Sequence, residues 1–246
     1  MSRSGTYPFS VEGKTILITG ASSGLGRHIA DTLARRGARL VITGRDEARL
    51  QAAYGALQGE GHLQVLADLT CAADRDRLVK AAGNLDGLVH CAGLQKHCPL
   101  RQLSEAMMTQ MYEVNFLAPV MLTQRLLHTN AIRQQGSIIF MLSTAAHTGT
   151  RGLGPYSAMK SALLGIIKCL ALEQAKRGIR VNGISPSAIA TPMWDAHHDL
   201  LQQQKERHPL GLGQPDDVAN GAVYLLSNAS RWVTGTSLIM DGGAVI

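Results

Sequence analysis

The feature that most constrains the fold is a repeated alternation of short aliphatic runs with longer helix-like stretches. We predict seven strands and six helices from this pattern. Strands that read as continuous Val, Ile and Leu runs are covered on both faces, and the helices between them supply right-handed crossovers. The sequence therefore predicts an α/β fold, a Rossmann-type doubly wound parallel sheet. The predicted strands are 14–19, 40–43, 62–67, 88–92, 137–142, 179–184 and 237–240, and the predicted helices are 25–36, 47–57, 74–82, 104–130, 155–176 and 215–227.

No linker or shift in composition divides the chain. With 246 residues, 45% of them hydrophobic, it is long enough for one large core. We therefore expect an N-terminal tail at 1–12 and a single domain at 13–246. Residues 193–212 fit the alternation poorly and are expected to form a substrate lid.

Composition excludes several classes of function. Aromatic residues make up only 4% of the chain, and the 24 basic residues, against 18 acidic ones, form no run of five or more. A nucleic-acid-binding protein needs clustered cations and stacking rings. The apolar stretch 161–172 is too short to span a membrane and is interrupted by Lys168. The first dozen residues lack the apolar region of a secretory signal, so we expect a cytoplasmic protein.

The four cysteines form no C-x-x-C pair, and we expect buried thiols without disulfides. The pairs His90-Cys91 and His97-Cys98 could be imagined as zinc ligands. Because His90-Cys91 follows an apolar run, it is better interpreted as a strand end, and no metal site is predicted.

A glycine-rich turn follows the first strand. It reads Gly20-Ala21-Ser22-Ser23-Gly24-Leu25-Gly26. Glycines let the chain turn tightly and bring backbone amides against a pyrophosphate, while the helix N-terminus favours an anion. We therefore expect Gly20, Ser22, Ser23, Gly24, Leu25 and Gly26 to bind a dinucleotide.

The end of the second strand indicates which dinucleotide. An acidic residue there would hold the ribose hydroxyls of NAD(H), but this chain has Gly44-Arg45. A guanidinium can pair with a 2′-phosphate, so NADP(H) is predicted over NAD(H). The alternative is that Arg45 is only a solvated residue that caps the next helix, paired with Asp46 or Glu47. Asp68, after the third strand, could accept the adenine amino group or act as a helix cap.

Three polar residues near the fifth strand suggest catalysis. Tyr156 and Lys160 lie four apart on one predicted helix, so they share a face. Ser143 ends the preceding strand, at the edge where parallel sheets bind ligands. We expect Tyr156 to be the general acid of a carbonyl reduction, with its pKa lowered by Lys160, and Ser143 to hydrogen-bond the carbonyl oxygen.

Asn115 lies in a long predicted helix, four residues before Pro119. Proline has no amide hydrogen, so the helix should bend there and free the carbonyl of Asn115. That carbonyl could hold a water that relays protons to Lys160. The alternative is a kink that serves only packing.

Together these motifs resemble the short-chain dehydrogenase/reductase family over nearly the whole chain. The resemblance implies a catalytic tetrad of Asn115, Ser143, Tyr156 and Lys160. It also implies cofactor contacts from Leu69, Cys91, Ala92, Gly93, Ile189 and Thr191, and a homotetramer built through the long helices and the C-terminal strand. Two departures stand out: the family's Asn-Asn-Ala-Gly reads His90-Cys91-Ala92-Gly93, and its Pro-Gly reads Pro186-Ser187.

Residues 208–219 look most like the 3-oxoacyl-acyl-carrier-protein reductase branch of the family. The net charge of +6 and residues such as Arg133 and Arg177 are compatible with docking an acidic acyl carrier protein. Dehydrogenases of sugars, polyols and steroids share the same motifs and remain open. A non-catalytic NADPH-binding sensor or scaffold is the alternative from another class, although such a protein would usually have lost Tyr156 or Lys160.

Overall fold

A computed structural model describes residues 7–190 and 204–245. Within these ranges, seven strands form one parallel sheet, with the order β3-β2-β1-β4-β5-β6-β7. This confirms the predicted doubly wound architecture. The strands are β1 (Thr15–Thr19), β2 (Arg39–Gly44), β3 (Leu63–Leu66), β4 (Leu85–His90), β5 (Ile132–Met141), β6 (Arg180–Pro186) and β7 (Ser237–Met240).

The helices cover both faces of this sheet. They are α1 (Gly24–Arg35), α2 (Glu47–Gly55), α3 (Ala72–Ala82), α4 (Glu105–Tyr112), α5 (Ala118–His128), α6 (Gly154–Glu173) and α7 (Pro215–Leu226). One apolar cluster joins α1, α2 and α7 to the sheet, and the other joins α3, α5 and α6 to it. Successive strand residues alternate between the clusters: Ile16 and Ile18 belong to the first, and Leu17 to the second.

The long helix predicted at 104–130 is interrupted. A π-helical turn at Glu113–Leu117 separates α4 from α5, and Pro119 lies in the first turn of α5. Proline cannot donate the amide hydrogen that a continuous α-helix needs. The irregularity expected around Asn115 is therefore confirmed.

Part of the predicted tail packs against the domain. Val11 is fully buried in the first apolar cluster, and Phe9 lies 6.2 Å from the ring of Tyr224 on α7. The expectation that all four cysteines are buried is wrong: Cys98 is buried and Cys91 half-buried, but Cys71 and Cys169 are exposed. Both lie on outward-facing positions, at the start of α3 and on α6. Within 7–190 and 204–245, no helix is long and apolar enough to cross a membrane.

Candidate active site

The glycine-rich turn joins β1 to α1 at the carboxyl edge of the sheet. Gly20 and Gly24 have φ angles of 66° and 54°, which side chains disfavour. A Cβ on Gly20 would lie 2.7 Å from the backbone of Ala92, and one on Gly26 would lie 2.4 Å from the carbonyl oxygen of Gly20. Glycine is thus favoured by the backbone angle at Gly20 and Gly24, by close packing against the end of β4 at Gly20, and by close packing within the turn at Gly26.

The N-terminus of α1 is open to a ligand. Ser23 occupies the N-cap position but its side chain makes no capping hydrogen bond, and the first turn of α1 has no acidic residue. The first amides of a helix carry partial positive charge and need acceptors. Ser22, Ser23 and Gly24 all line the main cavity, so an anion there would meet these amides directly.

Arg45 lies just beyond β2, exposed, and borders the same cavity. It does not cap α2: Asp46 does so, accepting a hydrogen bond from the amide of Arg49 at 2.9 Å. Asp46 also pairs with the Arg49 guanidinium at 2.9 Å. Arg45 is therefore not the cap of α2, although it is solvent-exposed, as the alternative interpretation also expected.

Asp68 also lines the cavity, next to Leu69 and Thr70. One carboxylate oxygen accepts hydrogen bonds from the amide and the hydroxyl of Thr70, at 2.9 and 2.8 Å. The N-cap of α3 is Cys71. Asp68 thus shapes the turn before α3 and keeps its second oxygen for other donors.

The end of β4 brings cofactor and catalytic candidates together. Cys91, Ala92 and Gly93 line the cavity. Asn115 is buried, and its side chain accepts from the amide of Leu94 and donates to the carbonyl of Leu94, each at 2.9 Å. The two bonds fix the loop after β4 against the π-helical turn.

Ser143, Tyr156 and Lys160 all line this cavity, as predicted from their spacing. Ser143 follows β5 and caps a 3₁₀ turn, Thr144–Ala146, by accepting from the amide of Ala145 at 3.2 Å. Tyr156 and Lys160 lie one turn apart on α6. The Lys160 ammonium donates to the carbonyl of Met141 at 2.7 Å and lies 5.6 Å from the centre of the Tyr156 ring.

Burial sets the protonation of this group. It lowers the pKa of Lys160 to about 8, and it raises the pKa of Tyr156, an effect that a hydrogen bond with Ser143 opposes. The expectation that Lys160 lowers the pKa of Tyr156 is therefore wrong for the protein by itself. The ammonium is held by Met141, and desolvation of the phenol dominates.

A single cavity of about 850 Å³ connects these parts, and Arg45, Tyr156 and Ile189 all line it. Arg49, Gln204, Arg207 and His208 also line it. Thr191 and the 193–203 part of the expected lid lie outside the described residues.

The family model described as Enoyl-(Acyl carrier protein) reductase matches residues 20–245. This range includes the glycine turn, the Ser143 turn and α6. The chain belongs to the short-chain dehydrogenase/reductase family. It is therefore an oxidoreductase, and the family uses a nicotinamide cofactor.

Named relatives in the short-chain dehydrogenase/reductase family act on different substrates. The BbsD subunit of a hydroxy(phenyl)methylsuccinyl-CoA dehydrogenase from Thauera aromatica is 35% identical over 95% of this chain and 97% of its own. A 3-oxoacyl-(acyl-carrier-protein) reductase from Rickettsia bellii is 33% identical over 96% of this chain and 98% of its own. Gluconate 5-dehydrogenase from Gluconobacter oxydans is 30% identical over 97% of both chains.

Solved structures of the family superpose closely. A short-chain dehydrogenase/reductase of the glucose/ribitol dehydrogenase type from Brucella melitensis has a TM-score of 0.92 at 32% identity, covering 97% of this chain and 99% of its own. A short-chain dehydrogenase/reductase from Serratia marcescens has a TM-score of 0.90 at 29% identity, covering 96% and 100%.

At both departures from the short-chain dehydrogenase/reductase motifs, the substituted residue has a hydrogen-bonding partner that the sequence analysis did not predict. Ser187 lies 2.9 Å from Nε2 of the buried His208, which also lines the cavity. His90 lies 2.8 Å from the hydroxyl of Thr123 on α5. In the sequence, these partners could be anticipated only from the general rule that a buried polar side chain needs a hydrogen-bonding neighbour.

Proposed function

We propose that the chain is an NADP(H)-dependent reductase of 3-oxoacyl thioesters, which transfers hydride from the nicotinamide to the ketone carbon. The observation that carries this proposal is the continuity of one cavity, from Arg45 and the glycine turn to Ser143, Tyr156 and Lys160. A dinucleotide and a carbonyl compound could therefore meet in the same space.

The described residues fit the phosphorylated cofactor. Gly20, Ser22, Ser23, Gly24, Leu25 and Gly26 would hold its pyrophosphate at the N-terminus of α1, where the amides are open. Arg45 would pair with the 2′-phosphate. Among the described residues that line the cavity, the only carboxylate is Asp68, beyond β3, so none at the end of β2 would repel that phosphate.

The remaining cofactor contacts come from Asp68, Leu69, Cys91, Ala92, Gly93 and Ile189, which all line the cavity. Thr191 is proposed on family grounds alone. When bound, the cofactor supplies the hydride. The raised pKa of Tyr156 keeps the phenol protonated at neutral pH, as a proton donor to the carbonyl oxygen requires.

The other tetrad members support that proton transfer. Ser143 donates a hydrogen bond to the carbonyl oxygen as negative charge develops there. The Lys160 ammonium would hold the nicotinamide ribose and would stabilise negative charge on Tyr156 once the proton has left. Asn115 holds the loop of Gly93 in place: a Cβ on Gly93 would lie 3.2 Å from the Asn115 oxygen and 3.7 Å from Lys160 Nζ.

The substrate class rests on the relatives and on the cavity. Two of the named relatives act on thioesters, one of coenzyme A and one of acyl carrier protein. The cavity lining includes the polar side chains Gln95, Thr148, Thr150, Gln204 and Arg207. These side chains could hydrogen-bond a polar thioester. A sugar acid is the second candidate, since gluconate 5-dehydrogenase is also similar.

The residues expected to dock an acidic carrier protein are poorly placed. Arg133 lies near the amino end of β5, opposite the cavity, and pairs with Asp86 at 2.9 Å. Arg177 donates to the carbonyl of Ile132 at 2.5 Å in the same region. We assign a docking role instead to Lys205 and Arg207, which are exposed beside the cavity.

We also infer a cytoplasmic homotetramer. The outer face of α6 exposes Ala158, Ala162, Gly165, Cys169 and Leu172, which alternate at spacings of four and three residues. Leu172 is 80% exposed. Small residues at this spacing allow a second copy of the same helix to approach closely. Free thiols suit a reducing compartment.

The decisive experiment follows oxidation of NADPH with a panel of carbonyl compounds that includes acetoacetyl-CoA, an acyl-carrier-protein thioester, a keto sugar acid and a steroid ketone. We expect the thioesters to give the highest kcat/KM. Tyr156→Phe should reduce kcat at least about 100-fold while NADPH still binds. Tight NADPH binding without turnover on any carbonyl would contradict the proposal.

A further inference from the structure

The turn that carries Ser143 is short, and one hydrogen bond joins it to α6, from the hydroxyl of Ser161 to the carbonyl of Ala146 at 2.8 Å. Thr144–Ala146 is a single 3₁₀ turn, closed by the amide of Ala146 donating to the carbonyl of Ser143 at 2.9 Å. Such turns have poor hydrogen-bond geometry. Bonds within the turn define its shape but not where it sits relative to the sheet.

His147, at the end of this turn, ties it to the sheet. Its Nε2 lies 2.9 Å from the hydroxyl of Ser185 on β6. Ser185 is fully buried. The Ser185 hydroxyl lies 2.7 Å from the hydroxyl of Ser237 on β7. One chain of polar groups therefore runs from the turn through two strands of the sheet.

This chain lies behind the cavity wall. Ser143, Thr144, Ala145 and Thr148 line the cavity, whereas His147 does not. His147 is exposed at the surface, and its Nε2 reaches inward to Ser185 on β6. Any effect of His147 on the reaction must therefore pass through the position of the turn.

We propose that His147 is a positioning residue that anchors the Ser143 turn to β6 and so fixes the Ser143 hydroxyl beside Tyr156. This role rests on the proposed carbonyl reduction, in which Ser143 binds the carbonyl oxygen. A donor that stabilises developing charge acts only when it is already in place, and small displacements reduce the rate strongly.

The first test is a series of variants assayed with NADPH and the best thioester. His147→Ala should lower kcat about 10- to 100-fold. The Kd for NADPH should stay unchanged, because the glycine turn and Arg45 lie on other elements. His147→Gln, whose amide can still reach the Ser185 hydroxyl, should recover most of the lost kcat.

Two further variants separate positioning from general stability. Ser185→Ala should lower kcat as His147→Ala does, and the double variant should be no worse than either, because both remove the same bond. The matched control is Ser137→Ala. Ser137 lies in the middle of β5, and its buried hydroxyl donates to the carbonyl of Leu225 at 2.7 Å. The Ser137→Ala variant should have a lower Tm than the wild type but an unchanged kcat.

A crystal structure of His147→Ala gives a readout that does not depend on turnover. We expect the Ser143 hydroxyl to move away from Tyr156, relative to the wild type and to Ser137→Ala. An unmoved Ser143, or a kcat equal to that of Ser137→Ala, would overturn the proposal. Wild-type protein that reduces no carbonyl would refute the proposed function instead, while the crystal structures would still decide the positioning role.

Discussion

At the residue scale, the buried charge of Lys160 lowers the stability of the folded protein. Its ammonium is buried against the carbonyl of Met141, and burial lowers its pKa from 10.5 to about 8. At pH 7 the folded protein therefore holds a charge that the unfolded chain would solvate better. The shift corresponds to about 3 kcal/mol of lost stability. This cost is tolerated where the charge is needed, beside Tyr156.

Lys160→Met should accordingly stabilise the protein while abolishing turnover. We expect its free energy of unfolding at pH 7 to exceed that of the wild type by about 1–3 kcal/mol, because an apolar side chain of similar volume replaces the buried charge. A pKa lowered on folding means that the unfolded chain binds more protons, so the wild type gains stability as pH rises through about 8.

Urea unfolding of the wild type and of Lys160→Met across pH 6–10 measures the difference between their free energies of unfolding. This difference should narrow above about pH 8. A difference that stays constant with pH would show that folding does not lower the pKa of Lys160.

Arg45 governs cofactor choice in the proposed function. Arg45→Glu should raise the KM for NADPH about 10- to 100-fold, because a carboxylate would repel the 2′-phosphate, while the KM for NADH changes little. Steady-state kinetics with both cofactors measures this. Arg49→Ala is the control, since Arg49 is already paired with Asp46 and should matter less. Equal effects of Arg45→Glu on the two cofactors would refute the NADP(H) assignment.

At the scale of elements, the sequence predicted those strands, helices and breaks that depend on the local pattern of residues. Apolar alternation and the glycine turn placed β1 and α1, and the missing amide of Pro119 predicted the break at Asn115. The spacing of Tyr156 and Lys160 placed both on one face of α6. The sequence could not predict that Lys160 would turn to Met141 or that Arg133 would pair with Asp86, because these contacts join residues distant in the chain.

The contact between β4 and α5 is the clearest example of a contact that the sequence could not predict. His90 is buried, stacks on Phe140 at 4.7 Å and bonds the hydroxyl of Thr123, which itself donates to the carbonyl of Pro119 at 2.9 Å. Because that hydroxyl has one proton, His90 must donate from Nε2. Burial lowers the pKa of His90 to about 3, so the ring stays neutral.

Thr123→Val should therefore destabilise the protein by about 1–3 kcal/mol, since it keeps the volume but leaves the buried Nε2–H of His90 without an acceptor. Chemical denaturation measures the loss. Thr129→Val is the matched control: Thr129 also bonds its own helix, at the carbonyl of Arg125, but is exposed. Similar losses for both variants would mean that His90 does not depend on Thr123.

At the scale of the whole molecule, the inferred homotetramer depends on the exposed face of α6. Leu172→Glu should dissociate it, because each copy would bring a charge into an apolar helix contact. Sedimentation velocity measures the change in mass. Leu66→Glu is the control, since Leu66 is an exposed leucine on β3, at the edge strand far from β6. A wild-type protein that sediments as a monomer would contradict the inference.

The strand order has a consequence for how the protein is made. As the chain leaves the ribosome, β2 can join one side of β1 and β3 can follow it. β4 then adds to the other side of β1, and β5, β6 and β7 extend that side in turn. Every strand meets a free edge on arrival, and none has to insert between two partners already paired. The sheet can thus grow outward during synthesis, with the catalytic α6 made after the first five strands and before β6, the strand that follows it in the chain.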